Sequence, residues 1–393
     1  MSTVTKNISL LYFVKIAKWF MLYMPIIVLF YQENGLSLRD VLTLQAIYSI
    51  AIIILEIPSG YLADVWGRKN TIILGAILGT LGFAIYSFSY GFYGFLFAEL
   101  ILGIGQSFIS GSDSALLYDS LKISGNENKY VKYEGRVLSI GNFAETLAAI
   151  AGGFLAEISL RTPFYWQTGI AFIAIPAAIM LHEPYRVKIV RSNAWSNIIS
   201  IVKTSLFKSR QLSINIFFSA VIGCATLSMA WFLQAYLKDV QNFSEYQIGI
   251  AWSVLNLTVG ISTIFAYKFE KKMGKILTLF LILFVISGSY IFLGSTDLKI
   301  VFFIIWLFYL FRGIATPVLK DYINQLCEPE IRATVLSVRN FVIRILFACF
   351  GPMIGWVADI YTLHTAFMLT GIIIFISGFI LFLIYVPFLR SNK

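Results

Sequence analysis

Apolar stretches about as long as a bilayer is thick recur from one end of this 393-residue chain to the other, separated by short polar turns. Lipid offers a backbone no water to bond. Each stretch must therefore close its own hydrogen bonds, and a helix of about 20 residues does so across the hydrocarbon core. Twelve stretches qualify. Six lie at Ser9 to Tyr31, Val41 to Ala63, Thr71 to Tyr90, Phe92 to Leu121, Gly135 to Ile158 and Pro163 to Leu181. Six more lie at Leu212 to Leu237, Gln247 to Tyr267, Ile276 to Leu293, Ile300 to Asp321, Ala333 to Val357 and Thr365 to Phe388. With only 13% of residues charged, no soluble domain of this length is an alternative. The expectation is an all-α membrane protein with twelve transmembrane helices in two pseudo-symmetric six-helix bundles, residues 1–183 and 212–393, joined by a linker over 184–211.

The net charge of +10 raises the question of nucleic acid, and the placement of the basic residues answers it. Loops on the side of the N-terminus hold 21 Lys and Arg, whereas the opposite loops hold four: Arg39, Arg161, Lys238 and Lys299. That asymmetry is the positive-inside rule. It puts both termini in the cytoplasm of a cell (inner) membrane and leaves no need for a nucleic-acid partner. Lys15 and Lys18 interrupt the first apolar run and no small-residue cleavage site follows, so span 1 is read as retained. Within the linker, Trp195, Ile198, Ile199, Val202 and Leu206 recur at helical spacing, with Arg191, Lys203 and Lys208 elsewhere around the turn. This reads as an amphipathic helix on the cytoplasmic leaflet; a structureless basic linker is the alternative.

The halves repeat each other. Val137-Leu-Ser-Ile-Gly-Asn-Phe143 in span 5 matches Val335-Leu-Ser-Val-Arg-Asn-Phe341 in span 11, and Gly111 and Asp119 in span 4 match Gly313 and Asp321 in span 10. Such repeats place substrate sites near the bilayer midplane, at the junction of the halves.

Between spans 2 and 3 stands Gly60-Tyr-Leu-Ala-Asp64-Val-Trp-Gly67-Arg68-Lys69. It resembles the G-x-x-x-D-x-x-G-R-K signature of the major facilitator superfamily. Here Gly60 would allow close helix contact, Gly67 a tight turn, and Asp64 would pair with Arg68 or face a helix N-terminus. The resemblance implies that this loop latches the cytoplasmic side, with Pro329-Glu-Ile-Arg332 before span 11 as its docking partner. It also implies that spans 1, 4, 7 and 10 line a cavity, that 2, 5, 8 and 11 assist, and that 3, 6, 9 and 12 face lipid. The second-half copy, Tyr267-Lys-Phe-Glu270-Lys-Lys-Met-Gly274-Lys275, is degenerate. Two departures separate the chain from the drug-antiporter pattern: Glu99 stands at the Arg position of span 4, and Ala148-Ala149 stand where Gly-Pro precedes the paired glycines of span 5.

Charges within the spans are the candidate site residues, because buried charge in a membrane faces a cavity or a partner. They are Lys15, Lys18, Glu56, Glu99, Asp113, Glu145, Arg312, Arg339 and Arg344. None falls in spans 3, 6, 9 or 12. Glu99, Gln106 and Asp113 are spaced by seven and predict one polar stripe along span 4. At about 1.5 Å per residue, Lys15, Glu56, Asp113 and Arg339 fall in the cytoplasmic third, and Lys18, Gln106, Glu145, Arg312 and Arg344 near the midplane. Lys15 with Glu56 reads as a buried structural pair. Four acids in the first half against three arginines in the second suit either an anionic or zwitterionic ligand with proton coupling, or a set of gating salt bridges.

The sequence reading is a secondary transporter for a small organic solute, coupled to protons and exporting, a monomer in the bilayer with no cofactor and no metal. A transporter-derived receptor that binds without transport is the alternative. An enzyme has no apparatus here: no Gly-x-Ser-x-Gly elbow, no clustered Cys or His, and no phosphate loop of an ATP-driven pump.

Overall fold

The computed structural model describes residues 3–110, 112–126, 129–183, 202–296, 301–328 and 331–391, and among these no residue is in a strand. The first half holds α1 (Thr3–Trp19), α2 (Ile27–Glu33), α3 (Leu38–Trp66), α4 (Arg68–Phe88), α5 (Gly91–Ile109), α6 (Ser112–Ile123), α7 (Tyr130–Ile158) and α8 (Thr162–Ile179). The second holds α9 (Arg210–Ala235), α10 (Glu245–Met273), α11 (Lys275–Leu293), α12 (Val301–Asn324), α13 (Arg332–Ile360) and α14 (Leu363–Ser391). Nine helical runs among the described residues are long and apolar enough to cross a membrane by length and composition alone. The remaining three expected spans, 1, 5 and 6, are the α1–α2 pair, α7 and α8. The break in span 1 leaves α1 with 17 residues and α2 with 7, each short for a crossing, and α8 carries the polar and aromatic run Tyr165 to Thr168 in its first turns. Most of the proposed linker helix lies outside the described residues.

Spans 1 and 4, expected to be continuous, are each broken in two. In span 1, Pro25 has no N–H to donate and disfavours helix at the residue before it, so the chain turns between Trp19 and Ile27. The freed amide of Leu22 donates to Oε1 of Gln167 on α8 at 2.9 Å. Gly152 of α7 lies against the same break: a Cβ there would stand 1.8 Å from the Leu22 carbonyl oxygen. A broken membrane helix is tolerated where neighbours satisfy its backbone, and here a buried glutamine does so. In span 4, Ser110 adopts an extended conformation (φ −60°, ψ 125°) that ends α5, and α6 starts afresh at Ser112.

The chain forms two compact units. One contains Met1–Leu36, Ile47–Val190 and Phe243–Ser253; the other contains Ser37–Ala46, Arg191–Asn242 and Val254–Lys393. In the first, α1 packs on α6, α7 and α8, and α4 packs on α5 and α8. In the second, α9 packs on α12, α13 and α14, and α11 packs on α12 and α14. In span numbers this is one contact pattern used twice, which is what the internal repeat requires. Apolar clusters fill each unit, among them Leu11, Val14, Leu116, Leu117 and Leu181 in the first and Leu212, Ile216, Ile323 and Val335 in the second.

Each unit also takes the opening turns of one helix from the other half of the sequence, and local caps account for it. The Ser37 hydroxyl accepts from the Asp40 amide at 3.2 Å while Oδ2 of Asp40 accepts from the Ser37 amide at 3.1 Å, a reciprocal box at the start of α3. The next two amides, Leu38 and Arg39, donate to the two carboxylate oxygens of Asp359 at the end of α13, at 2.9 and 2.8 Å. At the start of α10, Ser244 and Gln247 form the matching box, and the Ser244 hydroxyl meets Glu157 at the end of α7 at 3.4 Å. Replacing Asp359 by Ala should cost about 1–2 kcal/mol at this helix start, because a carboxylate satisfying two orphan amides at a positive dipole end is lost. Hydrogen exchange should show Leu38 and Arg39 losing protection while the middle of α3 keeps it; unchanged protection there contradicts the cap.

Candidate functional site

The turn between α3 and α4 is built on Gly67, whose φ of 112° and ψ of 142° suit glycine alone. Past it, the Arg68 and Lys69 amides donate to the two oxygens of Glu183 at 3.0 and 2.6 Å, so a carboxylate closes the N-terminus of α4. The Arg68 guanidinium reaches the carboxylate of Asp119 and the Ala115 carbonyl on α6. The carboxylate that Arg68 meets among the described residues is Asp119, brought alongside by the packing of α6 on α4; the side chain of Asp64, its expected partner, lies outside them. Gly60 is no close-contact site, since a Cβ there would meet nothing within 4 Å on the exposed face of α3. Arg68 and Asp119 form an ion pair, both side chains largely buried. The docking segment at 329–330 lies outside the described residues.

The predicted polar stripe of span 4 does not form, because the break at Ser110 puts Glu99 and Gln106 on α5 but Asp113 in the first turn of α6. A heptad stripe needs an unbroken helix, and the extended Ser110 ends this one. The three residues have separate surroundings. Glu99 is buried, with Oε1 accepting from the Tyr31 hydroxyl at 2.9 Å, and that hydroxyl also contacts the Tyr86 hydroxyl. Phe30, Phe95 and Phe164 pack around the two tyrosines. Arg161 ties the same end together, donating to Asn34 Oδ1 at 2.7 Å and to the Ser87 and Ser89 carbonyls at 3.0 Å each. Gln106 is half-buried.

Asp113 accepts from the Ser114 amide at 2.8 Å and lines a small cavity with Lys15, Lys18, Ser114 and Glu134. Its volume of about 10 Å³ is room for roughly one water. The Ser114 hydroxyl donates to Glu134 at 2.7 Å. Two cations and two carboxylates from α1, α6 and α7 thus surround one water-sized space. Lys15 stands over the Trp19 ring, 4.8 Å from its centroid. Its expected partner, Glu56, has a side chain outside the described residues.

In the second unit Arg339 is buried, with Nε donating to the Ser219 hydroxyl and Nη1 to Asn340 at 3.1 Å. Arg312 stands over the Tyr309 ring at 5.2 Å. Arg312 and Arg344 are half-buried there, and Glu145 is half-buried on α7 of the first unit. Sequence reasoning missed Glu183, Glu134, Gln167 and the Tyr31–Tyr86–Glu99 cluster. The clue to Glu183 was available, since an acid just past a span can serve a basic loop whose glycine opens a helix; the others depend on tertiary neighbours.

Residues 8–348 match the sequence profile of the Major Facilitator Superfamily. Multidrug resistance protein 2 of Bacillus subtilis (strain 168) is 24% identical over 378 residues, spanning 91% of this chain and 89% of that protein. Quinolone resistance protein NorA of Staphylococcus aureus (strain COL) is 23% identical over 368 residues, 89% of each. Among solved structures, the nucleoside transporter NupG superposes with a TM-score of 0.79 at 13% identity, covering 97% of this chain and 98% of that one. A bacterial homologue of the human lysosomal transporter Spinster superposes with a TM-score of 0.80 at 13% identity, covering 99% and 98%.

Proposed function

Since this chain belongs to the Major Facilitator Superfamily and is an integral membrane transporter, we propose that it is a monomeric, proton-coupled exporter of a small organic solute, working by alternating access with both termini in the cytoplasm. Export is supported by the end-to-end likeness to two proteins named for drug resistance. Proton coupling rests on the cavity shared by Lys15, Lys18, Asp113 and Glu134, where a carboxylate has cations nearby and space for a water. The arginines of the second half, Arg312 and Arg344, together with Glu145, serve substrate binding or coupling. In this reading the turn at Gly67, with Asp64, Arg68 and Lys69, governs the cytoplasmic side.

The test is uptake into inverted vesicles holding the purified protein, with a fluorescent quinolone, a cationic dye and a nucleoside as probes. An acid interior should drive accumulation of at least one probe, and a protonophore should abolish it. Neutralising Glu145, Arg312 or Arg344 one at a time should lower affinity or proton dependence. Binding of a probe without accumulation under any gradient would overturn the transport reading in favour of a receptor.

A further inference from the structure

Both halves of the chain carry the same turn between their second and third spans. Gly67 precedes α4 at φ 112° and Gly274 precedes α11 at φ 75°. In each case a cation opens the helix. In the first unit that cation, Arg68, lands on the carboxylate of Asp119. In the second unit Lys275 meets a neutral amide instead: its Nζ donates to Gln325 Oε1 at 2.8 Å and lies 5.3 Å from the centre of the Tyr322 ring. Asp321, the counterpart of Asp119 in the repeat, is occupied by Nε2 of the same glutamine at 2.6 Å. Among the described residues neither Lys271 nor Lys275 forms an ion pair.

A cavity of about 780 Å³ opens beside these groups. It is amphiphilic. Its mouth carries Lys271, Lys275 and Gln325, and its wall continues along Phe280 and Phe382 into the spans. Tyr322 is 2% exposed and donates its hydroxyl to Glu270 Oε1 at 3.0 Å, so the single acid of the lining already has a donor. Over residues 268–275 there are four lysines (268, 271, 272 and 275) against that one glutamate. The space is far larger than an inorganic anion needs, and its aromatic side offers such an anion nothing. A phosphodiester with chains attached uses both parts, as basic pockets between membrane helices at the cytoplasmic level do.

We propose that this cavity binds the headgroup of an anionic phospholipid, its phosphodiester between Lys271 and Lys275 and its glycerol and first methylenes against Phe280 and Phe382. The leaflet, the cytoplasmic one, rests on the orientation proposed above; the binding itself does not. The test therefore reads binding and no transport, so its failure leaves the exporter reading untouched, and failure of the exporter reading leaves this one untouched.

Native mass spectrometry of the full chain, released from nanodiscs of equal phosphatidylglycerol and phosphatidylcholine with matched chains, should show one retained phosphatidylglycerol favoured roughly tenfold over phosphatidylcholine. The double substitution Lys271→Gln and Lys275→Gln should remove that preference, whereas Lys271→Arg with Lys275→Arg, which keeps charge, should preserve it and shows that the loop still folds. Lys122→Gln with Lys129→Gln, on a basic loop of the other unit, should change nothing. Millimolar inorganic phosphate should not displace the lipid. Equal retention of the two lipids by the unaltered protein, an unchanged preference in the glutamine variant, or displacement by inorganic phosphate overturns the proposal, the last by reducing the cavity to an anion site.

Discussion

Asp113→Asn should leave ligand binding and energy-independent exchange intact but reduce pH-driven accumulation of substrate to the equilibrium level. Asparagine keeps the shape and the acceptor for the Ser114 amide but has no proton to exchange. Among the described residues, the surroundings of Asp113 do not fix it in an ion pair. Asp113 lies in the first turn of α6 beside Lys15, Lys18 and Glu134, and within 4 Å its carboxylate is not in an ion pair with either lysine. A permanent bridge to one of them would have made it a structural acid, and the asparagine variant would then misfold rather than uncouple. The measurement is accumulation and exchange in the same vesicles. If the variant still concentrates substrate under a proton gradient as the unaltered protein does, Asp113 is not the coupling group, and Glu145 or the buried Glu99 takes its place as candidate.

Gly67→Val should lower transport per folded molecule by roughly an order of magnitude or more while insertion continues, because the loop's geometry admits no side chain. A residue held at that φ and ψ carries strain of about 1–3 kcal/mol. A Cβ at position 67 would already be in van der Waals contact with the Glu183 carboxyl, at 3.4 Å, so the two valine methyls beyond it press on the group that holds the Arg68 and Lys69 amides. The loop would therefore lose both its turn and the cap of α4, and Arg68 would be displaced from Asp119. Asp64→Asn should impair transport through the same loop. Normal turnover in a properly inserted Gly67→Val protein would show that the turn has no part in the cycle.

The fold was largely readable because its signals are lengths and repeats: twelve apolar stretches, a central polar break and paired segments. The turn at Gly67 was readable because a glycine between two apolar stretches can take the positive φ that a tight reversal needs. What failed was the inference that assumed an unbroken helix. The stripe through Glu99, Gln106 and Asp113 stops at Ser110, and the acid that Arg68 meets, 51 residues away, is one that no local pattern marks. Some of the remainder was written in the letters. Ser37-x-x-Asp40 and Ser244-x-x-Gln247 are capping boxes, and Ala156-Glu157-Ile158 repeats as Ala358-Asp359-Ile360 at the ends of α7 and α13. The pairing of Leu22 with Gln167 was not, since nothing local marks a glutamine as the partner of a broken backbone.

That pairing bears on how the protein is made. Span 1 leaves the ribosome well before span 6, yet the amide freed by its break has its partner there, 145 residues downstream. At synthesis rates of about 5–20 residues per second, that partner emerges roughly 7–30 seconds later. Through that interval span 1, with two lysines and an unsatisfied backbone, is a poor tenant of lipid on its own. It must wait at the insertion machinery or in contact with water until α7 and α8 arrive. A nascent chain stopped before Gln167 should therefore hold its first span loosely, and one extended past α8 should hold it fast.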